Sequence, residues 1–267
     1  KQMKVVLITG VSSGFGRAIA LRLANKEFKV YGTVRRKVDP IPGVSYLNMD
    51  VTSRESVEKA VGEVYGKEGR IDVLISNAGM GIAGPLEFTS IDDVQHQMDV
   101  NFLGMVRVVQ AVLPIMRNQK GGRIICISSI AGLIGLPFQG VYSASKFAIE
   151  GYCLALRTEV RPHNVEVVLV NPGDFSTSFT RNRSVVDSSE AKEAYPNYIK
   201  TMKVVEQEEN RGLSPEFLAK KIEKIINRKK CPTRCVVATP VQRASVFIKR
   251  ILPEGLFYRI IQKYYKS

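Results

Sequence analysis

Tyr142 and Lys146 stand four residues apart in Tyr-Ser-Ala-Ser-Lys, at the end of a stretch that runs from Ser128 to Lys146. On a helix, positions i and i+4 are neighbours on one face, so the ammonium can lie beside the phenol and favour its ionised form. A free phenol has a pKa of about 10. Bringing it close to neutrality asks for roughly 4 kcal/mol of preferential stabilisation of phenolate, which one close cation in a poorly hydrated cleft can largely supply. The pair therefore reads as an acid-base couple. Ser129, thirteen positions before Tyr142, ends the apolar run that starts at Arg123. That run reads as a buried parallel strand, which lets the Ser129 hydroxyl meet the phenol over a shared substrate oxygen. Any surface helix can show Tyr-x-x-x-Lys by itself, so the weight of the reading rests on the elements that must position it.

Those elements alternate between strand-like and helix-like patterns, which argues for a doubly wound α/β domain with a parallel sheet of about seven strands. Lys4 to Ile8 is a first strand and Gly14 to Lys26 an apolar-striped helix. Lys29 to Val34 and Val44 to Met49 are strands, Ser53 caps a helix through Gly66, and Val73 to Ser76 is the fourth strand. Ile91 to Asn118 is one long helical pattern with Asn101 in its middle, where Asn is a poor helix former and invites an explanation. Beyond the Tyr142 helix, Val165 to Val170 is a sixth strand, Ser214 to Asn227 a basic helix and Cys235 to Ala238 a seventh strand. From Ser178 to Gly212 the periodicity fades into a polar segment carrying Phe179, Tyr195, Tyr198 and Met202, which reads as a lid loop.

The turn after the first strand is Thr9-Gly10-Val11-Ser12-Ser13-Gly14-Phe15-Gly16. Glycines suit a tight turn that lets a dinucleotide's pyrophosphate approach backbone amides at the positive end of a helix. About twenty residues further on, where such a domain meets the adenosine ribose, stand Arg35 and Arg36. Two arginines suit a 2′-phosphate by charge and bidentate hydrogen bonding, so NADP(H) is favoured over NAD(H). The alternative is a solvated charged turn.

A chain of 267 residues with 45% hydrophobic residues is long enough for one domain with ample core. No run approaches the 18 or so apolar residues of a membrane span, and the first strand starts almost at once, so no secretory signal is expected. Four cysteines are too sparse for a disulfide framework and fit a reducing, cytoplasmic setting. Cys231 and Cys235 lack the further ligands of a zinc site, and no metal is expected. The net charge of +14 is one-sided: Lys220 to Ser267 holds thirteen Lys or Arg against Glu223 and Glu254.

Several motifs in order make the chain resemble the short-chain dehydrogenase/reductase family over nearly its whole length: Thr9-Gly10-x-x-x-Gly14-x-Gly16, Asp50-Val51, Asn77-Ala78-Gly79, Asn101, Ser129, Tyr142-x-x-x-Lys146, and Pro172-Gly173 followed by Thr177. Ser76 stands where the family pattern usually has a second Asn. The stretches Asn77 to Leu86 and Gly135 to Phe138 also resemble the 17β-hydroxysteroid and retinol dehydrogenase branch. The resemblance implies a Rossmann-type fold and a catalytic tetrad of Asn101, Ser129, Tyr142 and Lys146. It makes Tyr142 the acid or base that exchanges a proton with the substrate oxygen while hydride moves to or from a nicotinamide. Ser129 holds that oxygen, Lys146 lowers the phenol pKa and bonds the nicotinamide ribose, and Asn101 places a connecting water. Gly10, Ser12, Ser13, Gly14, Phe15, Gly16, Asp50, Val51, Asn77, Ala78, Gly79, Pro172, Gly173 and Thr177 would bind the cofactor. A homodimer or homotetramer is implied as well.

These readings give an NADP-dependent oxidoreductase for an apolar, steroid-, retinoid- or lipid-like ketone or alcohol, with domain 1–240 (lid 178–213) and a basic amphipathic extension 241–267. Its pocket is expected to be apolar, formed by Gly81 to Ala83, Leu133 to Phe138, Phe179, Tyr195, Tyr198 and Met202. A regulator or scaffold that kept the fold without the chemistry is the alternative, and the intact tetrad speaks against it. Nucleic acid is not an expected partner, because the basic region lacks a helix-turn-helix or aromatic-basic alternation. The extension carries two short amphipathic patterns, broken at Pro253 to Gly255. They either cover the substrate cleft or a subunit contact, or attach the enzyme peripherally to an anionic membrane through Phe247, Ile251, Leu256, Phe257 and Ile260.

Overall fold

A computed structural model describes residues 2–24 and 26–265. Lys1, Asn25, Lys266 and Ser267, which fall within the expected domain, helix and tail boundaries, lie outside the described residues. Seven apolar runs pair into one parallel sheet among those residues. They are β1 (Lys4–Ile8), β2 (Phe28–Val34), β3 (Val44–Asn48), β4 (Val73–Ser76), β5 (Gly122–Ile127), β6 (Val165–Pro172) and β7 (Arg234–Val237). Their spatial order is β3-β2-β1-β4-β5-β6-β7, so the direction of winding reverses between β1 and β4. At that switch point the carboxyl ends of the strands diverge and leave a crevice.

The central strands β1, β4 and β5 are apolar on successive residues because helices cover both faces of the sheet. The first helices are α1 (Gly14–Ala24), α2 (Arg54–Glu68), α3 (Ile91–Met98), α4 (Gly104–Asn118) and α5 (Gly140–Glu159). Then follow α6 (Ser189–Ala194), α7 (Tyr198–Asn210), α8 (Pro215–Asn227), α9 (Pro240–Ile248) and α10 (Glu254–Tyr265). One core lies under α2, α4 and α5, through Val57, Val61, Val108, Val112 and Ile149 against Leu7, Leu74 and Ile124. The other lies under α1 and α8, through Ile19, Leu23, Leu218 and Ile222 against Val6, Ile8 and Ile75. Ser53 caps α2 by accepting from the Ser56 amide, and Gly69 at φ 67° ends it two residues later than expected. Ile91–Asn118 is long and apolar enough to cross a membrane, but Val108, Val109, Val112 and Met116 are fully buried in the sheet core. It is the central helix of the fold.

The expected lid loop is a folded layer. A two-residue strand at Ser184–Val185 pairs in parallel with Ile82–Ala83, and α6 and α7 follow. Tyr198, Thr201, Met202 and Val205 are buried along one face of α7. Their i, i+3, i+4, i+7 spacing is helical. Tyr198 is completely enclosed, and its hydroxyl donates to the carbonyls of Ala83 at 3.2 Å or Val186 at 3.1 Å. The tail helices also pack onto the domain: Val246 and Phe257 join Ile130 and Ile134 in a small apolar cluster beside the ends of β5 and β7. Phe257, expected among the membrane-facing residues, is only 2% exposed and belongs to that cluster.

Candidate active site

The turn between β1 and α1 is held from three sides. Thr9 is buried, and its hydroxyl accepts from the amides of Asn77 and Ala78, both at 2.9 Å. Asn77 returns its amide group to the carbonyls of Thr9 at 2.9 Å and Gly10 at 3.0 Å. Gly10 sits at φ +73°, and a Cβ on Gly16 would lie 2.0 Å from the Gly10 carbonyl oxygen. The first helical turn can approach the strand end only without side chains at these positions. Gly10, Ser12, Ser13, Gly14 and Phe15 line a cavity of about 490 Å³, whereas Gly16 lies behind it as a packing residue.

The same cavity is lined by Arg35, Asp50, Val51, Asn77, Ala78, Gly79, Pro172, Gly173 and Thr177, and by Ser129, Tyr142 and Lys146. Arg36 is exposed and does not line it. Hydrogen bonds from Thr52 hold the Asp50 carboxyl below the usual carboxylate range. The residues present therefore fit a dinucleotide: a glycine-lined helix N-terminus for phosphates, an exposed guanidinium at the cavity wall, and the Asn77–Gly79 turn between them and the tetrad.

Asn101 lies in a π turn, Asp99–Leu103, between α3 and α4. Its side-chain oxygen accepts from the Met80 amide at 2.8 Å, and its amide group donates to the Met80 carbonyl and to Ser145 Oγ, both at 3.0 Å. Ser145 in turn donates to the Tyr142 carbonyl at 2.7 Å. Both amide protons of Asn101 are thus committed to tying the cofactor turn to the Tyr142 helix. Ser145, fully buried, was not among the expected site residues; its place one turn along the Tyr142 helix is the only signal that pointed to it.

Tyr142 is in the first turn of α5, packs in a tilted arrangement against the lid residue Phe179 with ring centroids 5.5 Å apart, and hydrogen-bonds with Ser129. Lys146 Nζ lies 5.6 Å from the phenol ring centroid and donates to the Ile127 carbonyl at 3.0 Å. The expected lowering of the phenol pKa is not what this geometry produces. Burial pushes Tyr142 up to about 12 against the hydrogen bond with Ser129, and burial pulls Lys146 down to about 8. Desolvation is the largest cause at both groups, and the hydrogen bond that the Lys146 ammonium makes goes to the Ile127 carbonyl. At neutral pH the phenol is therefore protonated.

Under Ser129 lies a buried polar network that no local spacing announces. Asn171 Nδ2 donates to the Ser129 carbonyl at 2.9 Å and to Glu150 Oε1 at 2.7 Å, and Arg234 on β7 pairs with Glu150 Oε2. Asn171 is 0% exposed and Glu150 5%, so the backbone carrying the Ser129 hydroxyl is anchored inside the core.

The expected apolar pocket needs correction. Gly81, Leu136 and Phe179 do line the cavity, joined by Val205 and Tyr265, but Ile82, Ala83, Leu133 and Phe138 do not; Tyr198 and Met202 form the lid's own core with Ala83, and the half-buried Tyr195 packs against it. Three carboxylates, Asp174, Glu208 and Glu209, also face the cavity. Glu209 is paired with Arg183, and Asp174 accepts from Gln242 Nε2 at 2.5 Å. Burial, reinforced by Glu209 and Glu208, pushes Asp174 up to about 6 from 3.8. The folded state then keeps a proton that the unfolded chain gives up, so stability falls as pH rises from about 4 to about 6. Asp174→Asn is expected to flatten that slope in thermal melts. An unchanged slope would assign it to other groups.

The family model for short chain dehydrogenases matches residues 4–186. The chain belongs to the short-chain dehydrogenase/reductase family. It is an oxidoreductase acting on CH–OH groups. It is 44% identical over 265 residues to a 3-ketodihydrosphingosine reductase of Bacteroides thetaiotaomicron, covering 99% of this chain and 98% of that one. It is also 44% identical over 191 residues to human 17-beta-hydroxysteroid dehydrogenase type 1, covering 66% of this chain and 58% of that one. Among solved structures, a short-chain dehydrogenase from Streptomyces avermitilis superposes with a TM-score of 0.83 at 27% identity, covering 99% of this chain and 97% of that one.

Proposed function

We propose that this dehydrogenase/reductase is an NADP-preferring ketone reductase acting on a long-chain lipid ketone. The observation that carries the substrate class is the 44% identity to the 3-ketodihydrosphingosine reductase over nearly the whole chain, lid and both tail helices included, whereas the hydroxysteroid relative matches two-thirds of the chain and a bovine retinol dehydrogenase 8 matches 96% of it at 35% identity. The cleft agrees with this choice. A sphingoid base is a long alkyl chain with an amine near the ketone, and the cavity combines Leu136, Phe179, Val205 and Tyr265 with the carboxylates of Asp174, Glu208 and Glu209. Carboxylates in a partly desolvated cleft favour a protonated amine and disfavour a neutral steroid.

NADPH supplies the hydride when bound. Tyr142 gives the phenolic proton to the forming alkoxide, and its protonated state at neutral pH suits the reducing direction. Ser129 Oγ holds the same oxygen, on a backbone fixed by the bond from Asn171 Nδ2 to the Ser129 main-chain carbonyl. Lys146, buried beside the phenol, supplies positive charge to the proton-transfer end of the cleft. Exposed Leu103 on the π turn and exposed Phe147 and Leu154 on α5 support a second copy docking on that face, as a homodimer or homotetramer. A cytoplasmic setting is consistent with four free cysteines, three of them buried.

Arg35 carries the cofactor preference, because it alone of the two arginines reaches the cavity wall. Arg35→Ser is expected to weaken NADPH binding roughly ten- to hundredfold and NADH binding little, while Arg36→Ser changes either less. Titration of cofactor fluorescence checks this, and equal losses for both cofactors would make Arg35 a structural residue. For the substrate, kcat/KM with 3-ketodihydrosphingosine should exceed that with its N-acylated form and with steroid ketones. A preference for steroid ketones would overturn the lipid reading.

A further inference from the structure

Of the eighteen large apolar side chains exposed among the described residues, seven fall between Val241 and Tyr264. They do not serve the fold, whose needs the opposite helix faces already meet. On α9 and the turn after it, Val246 and Leu252 pack inward and Lys249 Nζ donates to the Leu133 carbonyl at 2.7 Å. Val241, Phe247, Ile248 and Ile251 point out, with Phe247 62% and Ile251 65% exposed. On α10, Phe257, Tyr258 and Ile261 pack inward, and the Gly135 amide donates to the Tyr258 hydroxyl at 3.2 Å. Leu256, Ile260 and Tyr264 recur at i, i+4 and i+8 on the outer side, each about half exposed. Each tail segment thus has a second apolar face beyond the one the core uses.

The charges between those side chains say what covers that face. Arg243, Arg250, Arg259 and Lys263 are exposed, and Glu254 is the one acid between residues 241 and 265. Across a symmetric contact between two copies, the same cations would oppose one another. An anionic lipid surface instead neutralises them while its acyl boundary takes the apolar side chains. The face also adjoins the cleft: Tyr265, at the end of α10, and Leu136, packed in the cluster with Phe257, both line the cavity.

We infer that the outer face of α9 and α10 is a peripheral membrane-docking surface for anionic lipid, placing the substrate cleft at the bilayer interface. Phe247, Ile251, Leu256 and Ile260 enter the headgroup boundary and the exposed arginines meet the lipid phosphates. Phe257 has no part in this, because it holds α10 to the domain.

The test is cosedimentation of the full chain with phosphatidylcholine vesicles, with and without about a quarter phosphatidylglycerol, at low and high salt. Binding to the anionic vesicles at low salt and release at high salt are expected. Phe247→Ser/Ile251→Ser and Arg250→Glu/Arg259→Glu alter only exposed side chains, so both should keep the wild-type melting temperature and turnover of a small soluble ketone. Each pair is expected to lower vesicle partition roughly tenfold or more. No binding by the wild-type chain, equal binding to neutral vesicles, or unchanged binding by both variants would overturn the inference. So would a Phe247→Ser/Ile251→Ser variant that changes oligomeric state on a sizing column, since the face would then be a subunit contact. The vesicle assay contains no ketone, so its outcome is independent of the substrate reading.

Discussion

Tyr142→Phe is expected to lower ketone reduction by roughly 10²- to 10⁴-fold while dinucleotide binding is kept. The substitution removes one hydroxyl and leaves the packing in place. The ring still meets Phe179, and the bond from Ser145 goes to the Tyr142 main-chain carbonyl. What disappears is the proton donor and its hydrogen bond with Ser129. Lys146→Ala should behave differently and damage both turnover and cofactor affinity, because that ammonium is buried between β5 and the phenol. In the wild-type enzyme, a phenol held near 12 predicts a reduction rate steady through neutral pH and an oxidation rate that climbs with pH as base forms. Steady-state rates in both directions from about pH 6 to 10 check this. Substantial reduction by Tyr142→Phe at any of these pH values would remove the tyrosine from the mechanism.

The second large effect is on stability. Arg234→Met leaves the Glu150 carboxylate buried with the Asn171 amide group as its remaining hydrogen-bond partner and the Lys146 charge nearby. Removing one member of a buried ion pair costs about 3 kcal/mol or more, because the remaining charge has lost its compensation. For a domain of this size that corresponds to a fall in melting temperature of roughly 6–12 °C. Glu150→Leu/Arg234→Met removes both charges and should lose less than Arg234→Met alone, provided the leucine fills the volume. Activity should fall in the single variant beyond what unfolding explains, since Asn171 also fixes the Ser129 carbonyl. A melting temperature within about 2 °C of wild type would show that Glu150 is solvated and the network dispensable.

Most of the sheet, and the convergence of Ser129, Tyr142 and Lys146 on one cavity, were legible because each depends on a local pattern. The runs ending at Ile8, Ser76 and Ile127 have few readings other than buried strands, and Tyr142 and Lys146 signal through one helical turn. The elements missed depend on contacts far apart in the chain. Asn171, Glu150 and Arg234 meet across three elements, and their separations of 21 and 84 residues carry no periodic signal. In the lid, the stripe Tyr198, Thr201, Met202 and Val205 was present but lies within a polar segment, 178–212, whose overall composition reads as a lid loop. The tail showed the opposite difficulty. Apolar residues cover two faces of each helix, and only packing shows that Phe257 belongs inside while Leu256 and Ile260 do not. The phenol shows the same limit, since spacing places the ammonium near the ring but does not show how deeply both groups are buried, and burial is what raises the phenol pKa.

The central claim is that this cleft reduces a lipid ketone with hydride from NADPH and a proton from Tyr142. The most direct measurement is NADPH consumption with 3-ketodihydrosphingosine in mixed micelles, with product identified by mass spectrometry, for wild type and Tyr142→Phe side by side. The account predicts stoichiometric conversion of ketone to secondary alcohol by the wild-type enzyme, slower conversion with NADH, and near-complete loss in the variant. No alcohol product from the folded, NADPH-binding wild-type enzyme would contradict it.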